Sequence, residues 1–268
     1  MGNAGMPMAP HLKEHDSGLS GWHEPIERMR QAIERDELEL YCQPIVALSG
    51  AVRFPMAEVL VRLREEESSL MPPGEFLPVF EHYRMMPALD GWVVRSVVRH
   101  LARGSRIARF SINLSTQTIE DATFPATVAR SLMASGVAGG SLLFEIDEAD
   151  LLGHLEAVER FALAVKAIGC GLMIDGFGRR AVTFAPLKKL QVDYVKVDGV
   201  IVRKLLGGGS AERKLLAILR VAEVIGFGTV AEMVEDQDIL MRLKALGVSH
   251  AQGFGIYQPH PIAGFAAA

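Results

Sequence analysis

Arg109-Phe110-Ser111-Ile112-Asn113, Leu142-Leu143-Phe144-Glu145, Leu172-Met173-Ile174-Asp175, Asp193-Tyr194-Val195-Lys196-Val197-Asp198 and Gly228-Thr229-Val230-Ala231-Glu232 are five short apolar runs, each ending on an acid, an amide or an amine. Ala251-Gln252-Gly253-Phe254 continues the rhythm. Successive landmarks lie about 20 to 35 residues apart, the length of one strand, one helix and two turns. The alternation predicts an α/β chain built as a modified TIM (β/α)8 barrel. Polar groups at the carboxyl ends of its parallel strands would then converge on one mouth, where such barrels do their chemistry. Any single strand end of this kind can simply face solvent. Carboxylates, an amide and a lysine together instead make a metal-and-phosphate site.

Outward from these runs the pattern changes. Leu38 to Leu48 and Val52 to Leu63 read as two strands around Ser49-Gly50, a turn tight enough to force an antiparallel first strand. Helical periodicity covers Glu24–Asp36, Phe76–Tyr83, Asp90–Arg103, Asp150–Ala167, Ser210–Ile225 and Asp236–Leu246, with Gly226 and Gly247 closing the last two. Residues 1–22 read as a flexible polar leader, and 23–268 as the barrel domain. Within the leader, His11 and His15 have helical metal-ligand spacing but no third ligand nearby. Gly207-Gly208-Gly209-Ser210 lacks the Gly-Lys-Ser/Thr ending of a phosphate loop and reads as a surface turn.

Composition narrows the classes. Hydrophobic residues make up 49% of the 268 positions, enough for a barrel core and a helical ring. The net charge of −4 argues against general nucleic-acid binding. The most apolar stretch, Leu215–Val234, is interrupted by Arg220 and Glu223, so no membrane insertion is expected. The first residues match neither a signal peptide nor a myristoylation site. Cys42 and Cys170 lie in or beside apolar runs and read as buried thiols of a reducing cytoplasm.

Nine motifs in order resemble the EAL domain family. They are Gln43-Pro44-Ile45-Val46, Glu58-Val59-Leu60-Val61-Arg62, Pro73-Gly74-Glu75-Phe76-Leu77-Pro78, Ser111-Ile112-Asn113-Leu114-Ser115, Glu145-Ile146-Asp147-Glu148, Asp175-Gly176-Phe177-Gly178, Lys196-Val197-Asp198, Ala231-Glu232-Met233-Val234-Glu235 and Gln252-Gly253-Phe254. The resemblance implies a modified TIM barrel that binds cyclic di-GMP and, when intact, hydrolyses it to pGpG with two Mg2+ or Mn2+ ions. It implies Glu58, Asn113, Glu145 and Asp175 as ligands of a first ion. Lys196 would contact the attacking water and phosphate, and Glu232 would be the general base. Gln43, Leu60, Arg62 and Gln252 would contact the nucleotide, while Glu148 anchors the loop after Asp175 and Asp198 supports the same region.

The departures matter equally. Intact members carry Asp-Asp-Phe-Gly-Thr-Gly where this chain has Asp175-Gly176-Phe177-Gly178-Arg179-Arg180, so a second-ion carboxylate is missing. One metal site is expected and the second is doubtful. Arg179 and Arg180 could present guanidinium charge to phosphates, or form a solvated loop pair or a partner contact. Met233 stands where the family has glycine, crowding the end of the strand that carries Glu232. Three functions remain open: an impaired EAL domain acting as a cyclic di-GMP receptor with a protein partner or homodimer, an active phosphodiesterase, and an interaction module without nucleotide. The retained Gln43, Arg62, Glu58 and Lys196 favour the receptor.

Overall fold

The computed structural model describes residues 22–50, 54–66, 69–180, 184–207 and 209–267. The histidine pair of the leader, the Val52 strand start, Gly208 and Ala181 lie outside these residues. A helix α1 (Pro25–Glu34) leads into the antiparallel pair β1 (Leu38–Ala47) and β2 (Met56–Glu66). A short β3 (Ser69–Met71) and two helices, α2 (Pro73–His82) and α3 (Met86–Ala102), follow. Strands β4 (Arg109–Asn113), β5 (Leu142–Asp147), β6 (Gly171–Phe177), β7 (Tyr194–Val197), β8 (Gly228–Ala231) and β9 (His250–Ala251) are then laid down in parallel.

β1 pairs antiparallel with both β2 and β9, which closes eight strands into a barrel whose first strand runs against the rest. Helices α4 (Thr116–Glu120) and α5 (Phe124–Ser135) connect β4 to β5, and α6 (Glu148–Gly153) and α7 (Leu155–Ala167) connect β5 to β6. Beyond β6, α8 (Ala185–Leu190), α9 (Gly199–Arg203), α10 (Ser210–Ile225) and α11 (Gln237–Leu246) complete the ring. Gly226 and Gly247 close α10 and α11 in the left-handed conformation at φ 94° and 89°, as their sequence positions predict.

Three predicted elements differ. The second strand begins at Met56, after the non-strand residues Phe54 and Pro55, and runs to Glu66 instead of Leu63. The single helix over Asp150–Ala167 is two, because His154 has φ −131° and ψ 39° and lies between them as the C-cap of one and the N-cap of the next. Asp147 caps the first piece by accepting the Ala149 N–H, so that helix starts directly at the strand end. The run Ala251–Phe254 is strand only through Ala251, since the chain then passes so close to the Val234 backbone that a side chain on Gly253 would collide with it.

Side-chain alternation sets the barrel interior. Ile45, Met56, Leu143, Met173 and Val230, all at most 1% exposed, form a plug with Tyr194 packed against it. Each such residue is worth roughly 1.5–3 kcal/mol of burial. Two positions further along each parallel strand the chain returns to the same interior face. That step carries Met56 to Glu58, Leu143 to Glu145, Met173 to Asp175, Tyr194 to Lys196 and Val230 to Glu232. β1 runs the other way, so Gln43, two before Ile45, reaches the same level and pairs directly with Glu58.

Candidate functional site

Above the plug, charged and amide side chains meet at the carboxyl ends of the strands. Lys196 is the centre. Its Nζ lies 3.0 Å from Glu58 Oε2, 2.8 Å from Glu145 Oε2 and 3.3 Å from Asp175 Oδ1, and its side chain is 3% exposed. Asn113, at the rim, donates to Glu58 Oε1 at 2.8 Å. Gln252 donates to Glu58 Oε2 at 2.8 Å and to Gln43 Oε1 at 3.1 Å, and Gln43 donates onward to the Tyr257 carbonyl. Glu232 stands against Asp175. The fold thus brings Gln43, Glu58, Asn113, Glu145, Asp175, Lys196, Glu232 and Gln252 into one network.

The electrostatics follow from packing acids around one buried cation. Burial pushes the Glu145 carboxyl up to about 8 and Glu232 up to about 9, the neighbouring acids adding to the rise and Lys196 opposing it. Asp175 ends below its ordinary value. Burial would raise it, but Lys196 and a hydrogen bond from Glu232 outweigh that cost. Burial would likewise discharge Lys196, yet Glu145, Glu58, Asp175 and Glu232 hold its ammonium well above the ordinary lysine range.

Whether these residues fit a divalent cation is decided by their unsatisfied oxygens. Glu145 Oε1 and Glu232 Oε1 are buried without a hydrogen-bond partner, and Asp175 Oδ1 meets only the Lys196 ammonium at 3.3 Å. Hard carboxylate oxygens plus the Asn113 amide form a donor set suited to Mg2+ or Mn2+. In the present arrangement the Lys196 ammonium takes the middle, and no ready cage of three acidic, imidazole or thiol groups exists among the described residues. Gly176, next to Asp175, adds no side-chain oxygen to this donor set.

A cavity of about 290 Å³ opens beside the network, bounded by Glu58, Asp175, Lys196 and Glu232 within and by Arg203, Met233, Glu235 and Phe254 towards solvent. Arg203, Glu235 and Phe254 were not singled out by the sequence reading. Phe254, 66% exposed beside Gln252-Gly253, is the one whose sequence context could have flagged it. Met233 adopts the left-handed conformation at φ 52°, and its side chain fills the space a Cβ on Gly199 would need. Its sulfur also accepts from Arg203 Nη1 at 2.9 Å.

Leu60 and Arg62 share the face of β2 that carries Glu58 but lie outside the network. The Arg62 guanidinium rests 5.5 Å from the Tyr41 ring centre and donates to the Val61 carbonyl. Glu148 accepts the Gly178 and Arg180 N–H groups, both at 3.1 Å, and so holds the loop after β6. The two arginines of that loop behave differently. Both are exposed, but Arg179 folds back far enough to donate Nε to Asp198 Oδ2 at 2.8 Å. Asp198, 3% exposed, also caps α9 by accepting the Val200 N–H.

Comparison with known proteins matches this geometry. The chain is 31% identical over 241 residues to the cyclic di-GMP phosphodiesterase PdeB of Shewanella oneidensis, covering 89% of this chain and 28% of that protein. It therefore spans well under half the length of that relative. Among solved structures, the PaMucR phosphodiesterase in complex with c-di-GMP superposes with a TM-score of 0.80 at 26% identity, covering 88% of this chain and 97% of that one. The FimX EAL domain from Pseudomonas aeruginosa bound to c-di-GMP gives 0.82 at 25% identity, covering 88% and 96%. The model of the EAL domain matches residues 26–259, and the chain belongs to the EAL domain family.

Proposed function

We propose that this chain binds cyclic di-GMP in the cleft above the barrel plug and turns it over slowly or not at all, acting as a receptor whose bound state is read by a protein partner or a second copy. Glu58, Asn113, Glu145 and Asp175 would hold one Mg2+ or Mn2+ ion, which when bound supplies positive charge to a phosphodiester and acidifies a coordinated water. Lys196, kept charged by its acids, would meet a phosphate oxygen, and Gln43 and Gln252 fix the Glu58 carboxylate that faces it. Arg62 sits further up the same strand face, suited to an outlying part of the ligand. No helix among the described residues is long and apolar enough to cross a membrane. The buried free thiols of Cys42 and Cys170 suit a reducing cytoplasm.

The observation that carries the reading is the glycine next to Asp175. Residue 176 is a glycine where the resemblance to intact family members implies a second-ion carboxylate, and this supports slow or absent turnover. The alternative, an active phosphodiesterase, is supported by the convergence of Glu145, Asp175, Lys196 and Glu232. Conversion of cyclic di-GMP to pGpG with Mn2+, beside an intact family member, separates the two. At least about 100-fold slower turnover is expected, a loss of about 2.7 kcal/mol in transition-state stabilisation. Comparable rates would establish the phosphodiesterase instead.

A further inference from the structure

Position 176 is more than a missing ligand, because the space beside it is filled. Gly176 adopts φ +63°, and a Cβ built there would stand 3.2 Å from Arg179 Nη2, 3.5 Å from Arg179 Cζ and 3.6 Å from Asp147 Oδ2. Arg179 reaches this point from three residues along the loop, and its Nε–Asp198 bond fixes the planar group there. The guanidinium is thus set among Asp198, Asp147 and Glu232, three acids on the ends of different strands. Its side chain is 61% exposed, and no described residue engages Nη1.

We infer that the Arg179 guanidinium takes the place of a second divalent cation, leaving a site that holds one ion and presents a tethered positive group to the bound phosphodiester. The inference rests on the cyclic di-GMP reading for its ligand, but its metal count stands apart from that reading. Three features carry it. The acids that would attract a second ion already have a cation: Asp198 is buried and bonded to Arg179, and Asp147 faces the same group. The guanidinium presents further N–H donors on the exposed side, the planar arrangement that suits phosphate oxygens. Arg180 next to it has its backbone tied to Glu148 and its side chain in solvent, so only one of the two loop arginines is fixed against the strand-end acids.

A plain structural role, with Arg179 only tying the loop to Asp198, predicts something different. It makes the residue matter to stability and not to metal count or nucleotide affinity. The same geometry says what restoring the carboxylate would do. An aspartate at 176 would fall onto the guanidinium and pair with it, so Gly176→Asp alone should recruit no ion.

The test counts Mn2+ bound to the full chain by equilibrium dialysis and electron paramagnetic resonance, with and without saturating cyclic di-GMP, alongside calorimetric titration of the nucleotide. The expected counts are one ion for the natural chain, one for Gly176→Asp, and two for Gly176→Asp combined with Arg179→Thr. Arg179→Ala should weaken nucleotide binding by about tenfold, with Arg179→Lys closer to the natural chain. Arg179→Lys keeps a charge on Asp198, so it guards against a folding defect being mistaken for a binding one. Two ions in the natural chain would overturn the inference while leaving the receptor reading intact. Unchanged affinity in Arg179→Ala would reduce Arg179 to a loop tie and overturn it as well. If the natural chain ignores the nucleotide, the functional reading falls, and the Mn2+ counts alone decide what Arg179 replaces.

Discussion

Replacing Lys196 by methionine removes the one cation inside the acid cluster and keeps the side chain's bulk. Three carboxylates, from Glu58, Glu145 and Asp175, lose a partner within 3.3 Å of each. Breaking a buried ion pair by deleting one member costs about 3–5 kcal/mol, and several partners put this case at the upper end. For a domain of this size each kcal/mol lowers the melting temperature by roughly 2–4 °C, so a fall of about 10–15 °C is expected in EDTA. The loss depends on pH with a definite sign. Glu145 and Glu232 have folded-state values raised by burial to about 8 and about 9, so they hold protons that the unfolded chain releases at lower pH. Such groups cost stability progressively as pH rises from the ordinary glutamate range towards those values. Lys196 offsets that cost, because its own value is raised and its contribution persists until pH passes it. Without the lysine the carboxyls shift up further, so the defect should be small near pH 5.5 and largest near pH 9. Added Mn2+ should restore part of it, by about 2.7 kcal/mol at a hundredfold excess over the dissociation constant. The assay is thermal unfolding by circular dichroism at both pH values, with EDTA and with Mn2+. A variant melting within about 2 °C of the natural chain near pH 9 in EDTA would refute the claim that Lys196 is the counter-charge of this cluster.

Other expectations follow from single features. Met173→Ala, in the plug beneath Asp175, should cost about 2–5 kcal/mol in urea unfolding. Asp90 accepts from Ser115 and Thr118, and its burial raises it to about 6. The natural chain should therefore lose stability as pH rises from about 4 to 6, and Asp90→Asn should gain about 2 kcal/mol relative to it between pH 4 and 7 by denaturant titration. Arg62→Ala and Gln43→Ala should each weaken cyclic di-GMP binding measured by calorimetry, and unchanged affinity in both would place the ligand elsewhere. Gly176→Asp should raise turnover only modestly, and further replacement by Arg179→Thr and Arg180→Gly should raise it more, read as pGpG formed with Mn2+.

The architecture was legible because burial repeats. A parallel strand buried on both faces writes itself as an apolar run, and its last inward residue meets the mouth, so Asn113, Glu145, Asp175, Lys196 and Glu232 could be picked out without coordinates. The antiparallel start was legible from the two apolar runs on either side of Ser49-Gly50, although the strands end at Ala47 and resume at Met56, a longer connection than the tight turn expected there. What stayed hidden depends on side-chain direction. Nothing in Arg179-Arg180 says that one arginine folds back onto Asp198 while the other faces solvent. That choice comes from Glu148 gripping the loop backbone and from the open space at Gly176. The break at His154 is equally local, since apolar periodicity continues across it. Arg203 joins the cavity rim from the end of α9, through a contact with Met233 thirty residues away, which no spacing rule encodes.

The central claim is most directly tested by calorimetric titration of cyclic di-GMP into the natural chain in Mg2+, with the recovered nucleotide identified by chromatography. The account predicts saturable binding at one site per chain, with the ligand recovered largely as intact cyclic di-GMP. Absence of binding at any metal concentration, or recovery as pGpG at the rate of an intact family member, would contradict it.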